Sequence, residues 1–246
     1  MQNKQLLFYE RLRAVQNDFH QVVNFDPKKD KLSSLDCTIE NKDLLEVDLS
    51  DTEAFSKYID KSRHQDRSKF LMGGYSENRT LYNRSKLFDS QTKKDSNVKG
   101  DVKNVQPRTL HLGTDIWGEA GTKIFAPLGG RIHSFAFNNN FGDYGATIIL
   151  LHQLDGFLFH TLYGHLSLKD LGGITEGKFI NRGECIAHFG TPPENGHWPP
   201  HLHFQVIIDM HNFKGDYPGV CAFGEKTKYL ENSPDPDLIL NMNRFL

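Results

Sequence analysis

Cysteine is nearly missing from this 246-residue chain: Cys37, Cys185 and Cys221 are the only three. An odd number at long spacings, with no Cys-x-x-Cys pair, excludes a disulfide framework and a cysteine zinc finger. Neither sign of charge is in excess, with 29 Lys and Arg against 31 Asp and Glu. That balance excludes binding carried by a broad basic field, so nucleic acid is not an expected partner. No apolar run approaches the ~18–20 residues of a membrane span, so no integral membrane segment is expected. The apolar stretch at Leu6 to Tyr9 stops at Glu10 and Arg11. It is shorter than the ~7–15-residue core of a signal peptide, and the expectation is a soluble, cytoplasmic protein unless another export route operates.

Histidine, by contrast, is plentiful and uneven. Ten of the 12 lie between His111 and His211, and 18 of the 21 glycines lie between Gly113 and Gly224. Charge runs the other way, with 37 charged residues up to position 110 and 23 after it. Two compositions predict two structural regimes. We expect a helical or mixed N-terminal region over 1–88, a linker or exposed loop over 89–105 (DSQTKKDSNVKGD at its core), and a β domain with a C-terminal extension over 106–246.

In the first region, Leu6, Leu7, Phe8, Leu12 and Val15 suit one helix face. Ser50-Asp-Thr-Glu53 reads as a capping box, followed by Phe55, Tyr58 and Ile59 at helical spacing. Phe70-Leu-Met72 running into Gly73-Gly74 predicts a strand and a turn. In the second region, short β-branched and aromatic segments fall near 108–117, 122–127, 130–137, 145–152, 157–165, 178–189 and 201–209, most of them separated by Gly, Pro, Asn or Asp. A hairpin loop is expected at Gln153-Leu-Asp-Gly156. No helix-length segment separates the strands, so the fold class is mainly β, an antiparallel sheet or sandwich core with a groove, behind a smaller helix-containing N-terminal region.

Three stretches carry chemistry: His111-Leu-Gly-Thr-Asp115, Tyr163-Gly-His165-Leu-Ser, and Pro200-His201-Leu-His203-Phe. On a strand, His111 and Asp115 share a face, with Gly113 between them leaving space. His201 and His203 also share a face, opposite a core stripe of Leu202, Phe204, Val206 and Ile208. A catalytic zinc takes three protein ligands and a water. His111, Asp115 and one of His201 or His203 fill that set, leaving the other histidine and His165 to move protons.

These stretches resemble, in order and spacing, the lysostaphin/LytM-type (beta-lytic) zinc metallopeptidases, whose pattern is H-x-x-x-D, a lone His in a Y-x-H-L-S-like strand end, and H-x-H. The likeness covers roughly Leu110 to Ile208, including Gly121-Thr-Lys-Ile-Phe-Ala-Pro127. It implies a duplicated-hybrid-motif fold, one Zn2+ per chain on His111, Asp115 and His203, and catalytic roles for His165 and His201. The implied reaction is metalloendopeptidase hydrolysis of peptidoglycan-type or glycine-containing peptides. One departure stands out. The family usually has a small Gly/Ser/Thr-rich loop before H-x-H, and this chain has Glu194-Asn-Gly-His-Trp-Pro-Pro200. That loop is similar to a branch fused to phosphotransferase and class III aminotransferase domains, neither of which is present here. A binding module of the same fold, taking a metal or small molecule with little proteolysis, is the alternative expectation; a first half that caps the groove is another.

Tyr163, His197, Trp198 and Arg79 are the candidate substrate-binding residues, Arg79 because its fork matches a carboxylate. His133, His152, His160, His188 and His211 are expected to be hydrogen-bonded or surface residues. His160, five residues from His165, is expected to face away from it on a continuous strand. Cys185, amid Ile180, Ile186 and Phe189, is expected to be buried.

Overall fold

Aliphatic and aromatic residues fill 145–154 and 157–166, and only Asp155 and Gly156 interrupt them. Both interrupting residues have positive φ, 47° and 82°, which is the requirement of a two-residue hairpin turn. The predicted loop therefore tightens to two residues. The computed structural model describes residues 2–89 and 106–246, and this hairpin is the middle of its main sheet.

The strands are β1 (Leu32–Leu35), β2 (Phe70–Gly73), β3 (Arg108–His111), β4 (Thr114–Trp117), β5 (Lys123–Phe125), β6 (Gly130–Asn138), β7 (Gly145–Leu154), β8 (Phe157–Leu166), β9 (Phe179–Ile180), β10 (Cys185–His188), β11 (His201–Ile207) and β12 (Val220–Ala222). Eight form one sheet in the order β1-β2-β4-β11-β8-β7-β6-β9; β5 pairs with β10 and β3 with β12. All pairs are antiparallel except β1 with β2. The fold is mainly β, as expected, with a large mixed sheet. The expected linker, apart from Asp89, lies outside the described residues.

Helices α1 (Gln2–Ala14), α2 (Lys42–Leu45) and α3 (Thr52–Gln65) precede the β-rich part, and α4 (Lys226–Asn232) and α5 (Asp237–Leu240) follow it. Strands β1 and β2 come from the N-terminal region, yet they extend the same sheet, because β2 pairs with β4 in the register Leu71↔Trp117 and Gly73↔Asp115. Leu32-Ser-Ser-Leu35 carries no alternation, and that is why β1 is invisible in the sequence.

Alternation gives the sheet two different faces. One carries Leu202, Phe204, Val206, Phe159 and Tyr163, all buried, and α1 covers it with Phe8 and Leu12. Each fully buried large apolar side chain there contributes about 1.5–3 kcal/mol. Leu6 and Leu7 are exposed, so the apolar face of α1 is narrower than the sequence suggested. The other face carries His203, Asp115 and Trp117, and α3 packs on it through Phe55 and Ile59. The α3 cap also differs from expectation: Asp51, not Ser50, accepts from the Glu53 and Ala54 amides. Cys185 is exposed, because its strand is one of an outlying pair, whereas Cys37 and Cys221 are buried.

His152 is buried in β7 between the Gly129 carbonyl at 3.0 Å and the Thr161 hydroxyl at 2.7 Å. Burial pushes its pKa down to about 4. The unfolded chain binds a proton here below about pH 6.5, so stability rises with pH through this window and falls as pH drops from 6.5 towards 4. Urea titrations at pH 7 and pH 4.5 should show His152→Gln losing about 2–3 kcal/mol less on acidification than the parent chain. Equal losses would show that His152 does not carry the effect.

Candidate metal centre

β11 pairs His201 with Trp117 and His203 with Asp115, so all four side chains project from one sheet face. His111 ends β3, and the chain turns at Leu112-Gly113 before β4 begins, rather than running on as one strand. The turn still brings His111 onto Asp115, with Nε2 to Oδ1 at 3.3 Å. His203 Nδ1 lies 3.0 Å from His111 Nε2 and 3.1 Å from Asp115 Oδ1. Gly113 does leave the expected space, and the His203 ring fills it: a Cβ at 113 would sit 2.6 Å from that imidazole.

His165 reaches the same centre by a different device. Gly164 pairs with His203 and faces the site. Strict alternation would turn His165 to the opposite, core face with Tyr163. Its φ of 63° breaks the alternation and swings the ring over the site. The His165 and His201 rings lie 4.1 Å apart, and Trp117 stacks on His201 at 3.9 Å. The expectation for His160 fails for the same reason. It lies on the site face, paired with Ile207, but far along the strand, where its ring meets His133 at 4.8 Å.

Each histidine has one ring nitrogen already committed. His111 Nδ1 meets the Gly74 carbonyl at 2.9 Å, His165 Nδ1 the Asn195 carbonyl at 2.8 Å, and His201 Nδ1 the Pro199 carbonyl at 2.7 Å. A carbonyl oxygen only accepts, so these nitrogens carry the proton and each Nε2 offers a lone pair. His203 is reversed: its Nε2 donates to Gln205 Oε1 at 3.0 Å, leaving Nδ1 for the centre. The Gln205 amide is oriented by its own donations to the Pro218 carbonyl and the Ser233 hydroxyl.

His111 Nε2, His203 Nδ1 and Asp115 Oδ1 therefore converge as three acceptors with no proton between them. Among the described residues these three side chains form the one group able to hold a metal ion. Tetrahedral bonds of ~2.0–2.2 Å place ligand atoms about 3.3–3.5 Å apart, close to the separations present, so the donor set fits a divalent ion. Burial pushes His111 and His201 down to about 4 and His165 well below the ordinary range. Burial alone would raise the Asp115 carboxyl; the Arg79 guanidinium on its Oδ2 opposes this, and the group stays ionised, well below the ordinary carboxylate range.

Arg79 does not offer its fork to a ligand. It is buried, with Nε on Glu77 at 2.7 Å, Nη1 on Asp115 Oδ2, and Nη2 on the Gly74 carbonyl at 3.2 Å. Gly73 makes the room, since a Cβ there would lie 2.7 Å from Nη2. Tyr163 is likewise not at the site: it is a core residue, with its hydroxyl 3.0 Å from Thr161 and its ring against Phe204. Trp198 lines the cavity above the centre. The His197 ring sits outside that lining against Phe141, while its carbonyl accepts from Arg84 at 2.8 Å. The sequence reading missed Gln205, Asn195, Gly74 and Tyr144, whose hydroxyl lies 3.4 Å from His203 Nε2. Only Gln205 left a trace, two residues beyond His203 on the same strand face.

Residues 109–214 match the model of peptidase family M23. None of the curated proteins matches the chain. Among solved structures, a zinc-containing peptidase from Vibrio cholerae is 25% identical over 49% of this chain and 34% of that one, with a TM-score of 0.34. This chain thus spans about a third of that protein. The catalytic domain of lysostaphin from Staphylococcus simulans is 21% identical over 49% of this chain and 80% of that domain, with a TM-score of 0.34. A catalytic-domain variant of the prophage-encoded M23 protein EnpA from Enterococcus faecalis is 16% identical over 54% and 98%, with a TM-score of 0.35. The family match supports a metallopeptidase-type function for the segment that contains all five site residues.

Replacing Gln205 with Leu keeps the volume of the side chain and removes the acceptor that fixes His203. Divalent-metal affinity, read by competition with a chromophoric chelator, should fall about 10–100-fold. Unaltered affinity in a folded variant would remove Gln205 from the centre.

Proposed function

We propose that the protein is a zinc-dependent metallopeptidase that hydrolyses peptide bonds of the peptidoglycan or glycine-containing type. The observation that carries this reading is the meeting of three unprotonated ligand atoms, with two further imidazoles beside them: the His201 Nε2 is 4.0 Å from Asp115 Oδ1 and the His165 ring is 4.1 Å from that of His201. His111, Asp115 and His203 are the zinc ligands in this reading. Bound zinc supplies Lewis acidity, polarising a carbonyl and acidifying water.

The chain's own groups do the rest. His201 Nε2 lies 4.0 Å from Asp115 Oδ1, beside the centre, with its Nδ1–H fixed on the Pro199 carbonyl. A neutral imidazole held this way takes a proton at Nε2 from the attacking water and delivers one to the leaving amine. The His165 ring lies 4.1 Å from that of His201 and serves the same proton traffic; once it has taken a proton at Nε2 it donates to the developing oxyanion. Water adds across the C–N bond, and the products are a carboxylate and an amine. Trp117 keeps the His201 ring in plane by stacking, and Trp198 closes the hydrophobic side, its ring 6.0 Å from that of His165.

The two roles separate on mutation. His203→Ala should lose stoichiometric zinc, measured by atomic absorption, together with hydrolysis of muropeptides or glycyl peptides. His165→Asn, chosen because Asn tolerates the left-handed backbone, should keep zinc and lose about 10²–10⁴-fold in rate. Full zinc content in folded His203→Ala would overturn the ligand assignment; full activity in His165→Asn would overturn its catalytic role.

A further inference from the structure

Trp198 lines one side of the cavity over the metal centre, about 700 Å³ counting its mouth, and four segments surround it: 79–88, 142–144, 216–220 and the start of β3 at Arg108. Each touches the next. Ser85 Oγ donates to the Phe141 carbonyl at 2.6 Å, and a Cβ on Gly142 would meet that of Ser85 at 2.7 Å. Tyr144 abuts Gly219, where a Cβ would lie 1.9 Å from the phenol oxygen. Val220 and Cys221 pair with His111 and Leu110 through β12 and β3. β3 in turn bonds back to the first segment, with Arg79 N to the Thr109 carbonyl at 2.8 Å and His111 N to the Glu77 carbonyl at 2.9 Å. Arg108 Nη2 adds a bond to the Leu87 carbonyl.

The contacts close a collar of polypeptide around the site. An extended strand bound by its middle needs two exits, one for each flank, and a groove provides them. A collar provides one mouth. An interior bond could reach the histidines only as a bent loop, with two strands side by side about 5 Å apart. A chain end needs the width of one strand. Resting on the peptidase reading above, we infer that the site is a well that takes peptide ends or very short peptides, and that hydrolysis is confined to bonds within about two residues of a free terminus.

The test compares a linear Gly/Ala hexapeptide, a linear dodecapeptide and the head-to-tail cyclised hexapeptide with the zinc-loaded full chain, following products by mass spectrometry. Zinc stoichiometry is measured in the same samples. The linear peptides should lose one or two residues from an end, and the cyclic peptide should be cut at least about 100-fold more slowly. Opening of the cyclic peptide at the linear rate, or internal fragments as the first products of the dodecapeptide, would overturn the well while leaving the peptidase reading intact. Zinc-replete protein that cuts none of the three would overturn the peptidase reading, and the inference with it.

Discussion

Everything at the centre depends on one constraint: each of four imidazoles has a ring nitrogen spent on an acceptor. The Gly74, Asn195 and Pro199 carbonyls and the Gln205 amide oxygen fix the proton on the outer nitrogen, so a lone pair points inward every time. Buried polar groups without partners are costly, roughly 1–3 kcal/mol each. Here two imidazole lone pairs and a carboxylate oxygen meet within 3.3 Å. In the absence of a cation the fold would hold these acceptors against one another. The arrangement makes physical sense as a site built to receive positive charge.

Asn195, Pro199 and Gln205 lie within the 109–214 segment, but other partners that build this constraint come from outside it. Gly74 and Arg79 precede it; Pro218 and Ser233, which orient Gln205, follow it. Arg79 is the most expensive of these. Taking a guanidinium out of water costs several kcal/mol unless its donors are met, and Glu77, Asp115, Tyr82 and the Gly74 carbonyl meet them. Burial works against the charge, and the Asp115 carboxylate and its neighbours restore it. The carboxylate therefore has one oxygen on Arg79 and the other on the histidines, a split that fixes its rotation. The N-terminal region does not merely cover the site, as a detachable cap would; removing it would strip the orientation from His111 and Asp115 together.

Strand alternation and spacing were enough to read much of this from the chain. His201 and His203 on one face with Leu202, Phe204 and Val206 on the other is simple period-two geometry, and it holds residue by residue. The H-x-x-x-D spacing also holds, though through a turn at Leu112-Gly113 instead of a continuous strand. What escaped was whatever depends on a partner remote in sequence. Arg79 looks solvent-facing in a charged, glycine-flanked stretch, and nothing local reveals that Gly73 opens a slot for it beside Asp115. Tyr163 sits two residues before His165, and only the backbone reversal at 165 separates a core residue from a site residue. Cys185 is apolar in its local context and exposed because its strand lies off the main sheet.

That reversal links the site to the loop that precedes β11. A non-glycine residue with φ near 63° costs of order 1–3 kcal/mol and persists only where its surroundings over-determine it. At His165 three contacts do so: its amide on the Tyr144 carbonyl at 2.8 Å, its carbonyl accepting from Gly190 at 2.9 Å, and its ring on the Asn195 carbonyl. Two of the three lie in 190–198, where the Asn195 side chain staples the loop by bonding the Gly190 and Trp198 carbonyls and the Trp198 amide. Residues 190–198, stapled by Asn195, thus help hold His165 in its strained conformation. Softening that loop would let the strain relax and return the ring toward the core face, so the fold of the loop and the position of the His165 imidazole are one structural decision.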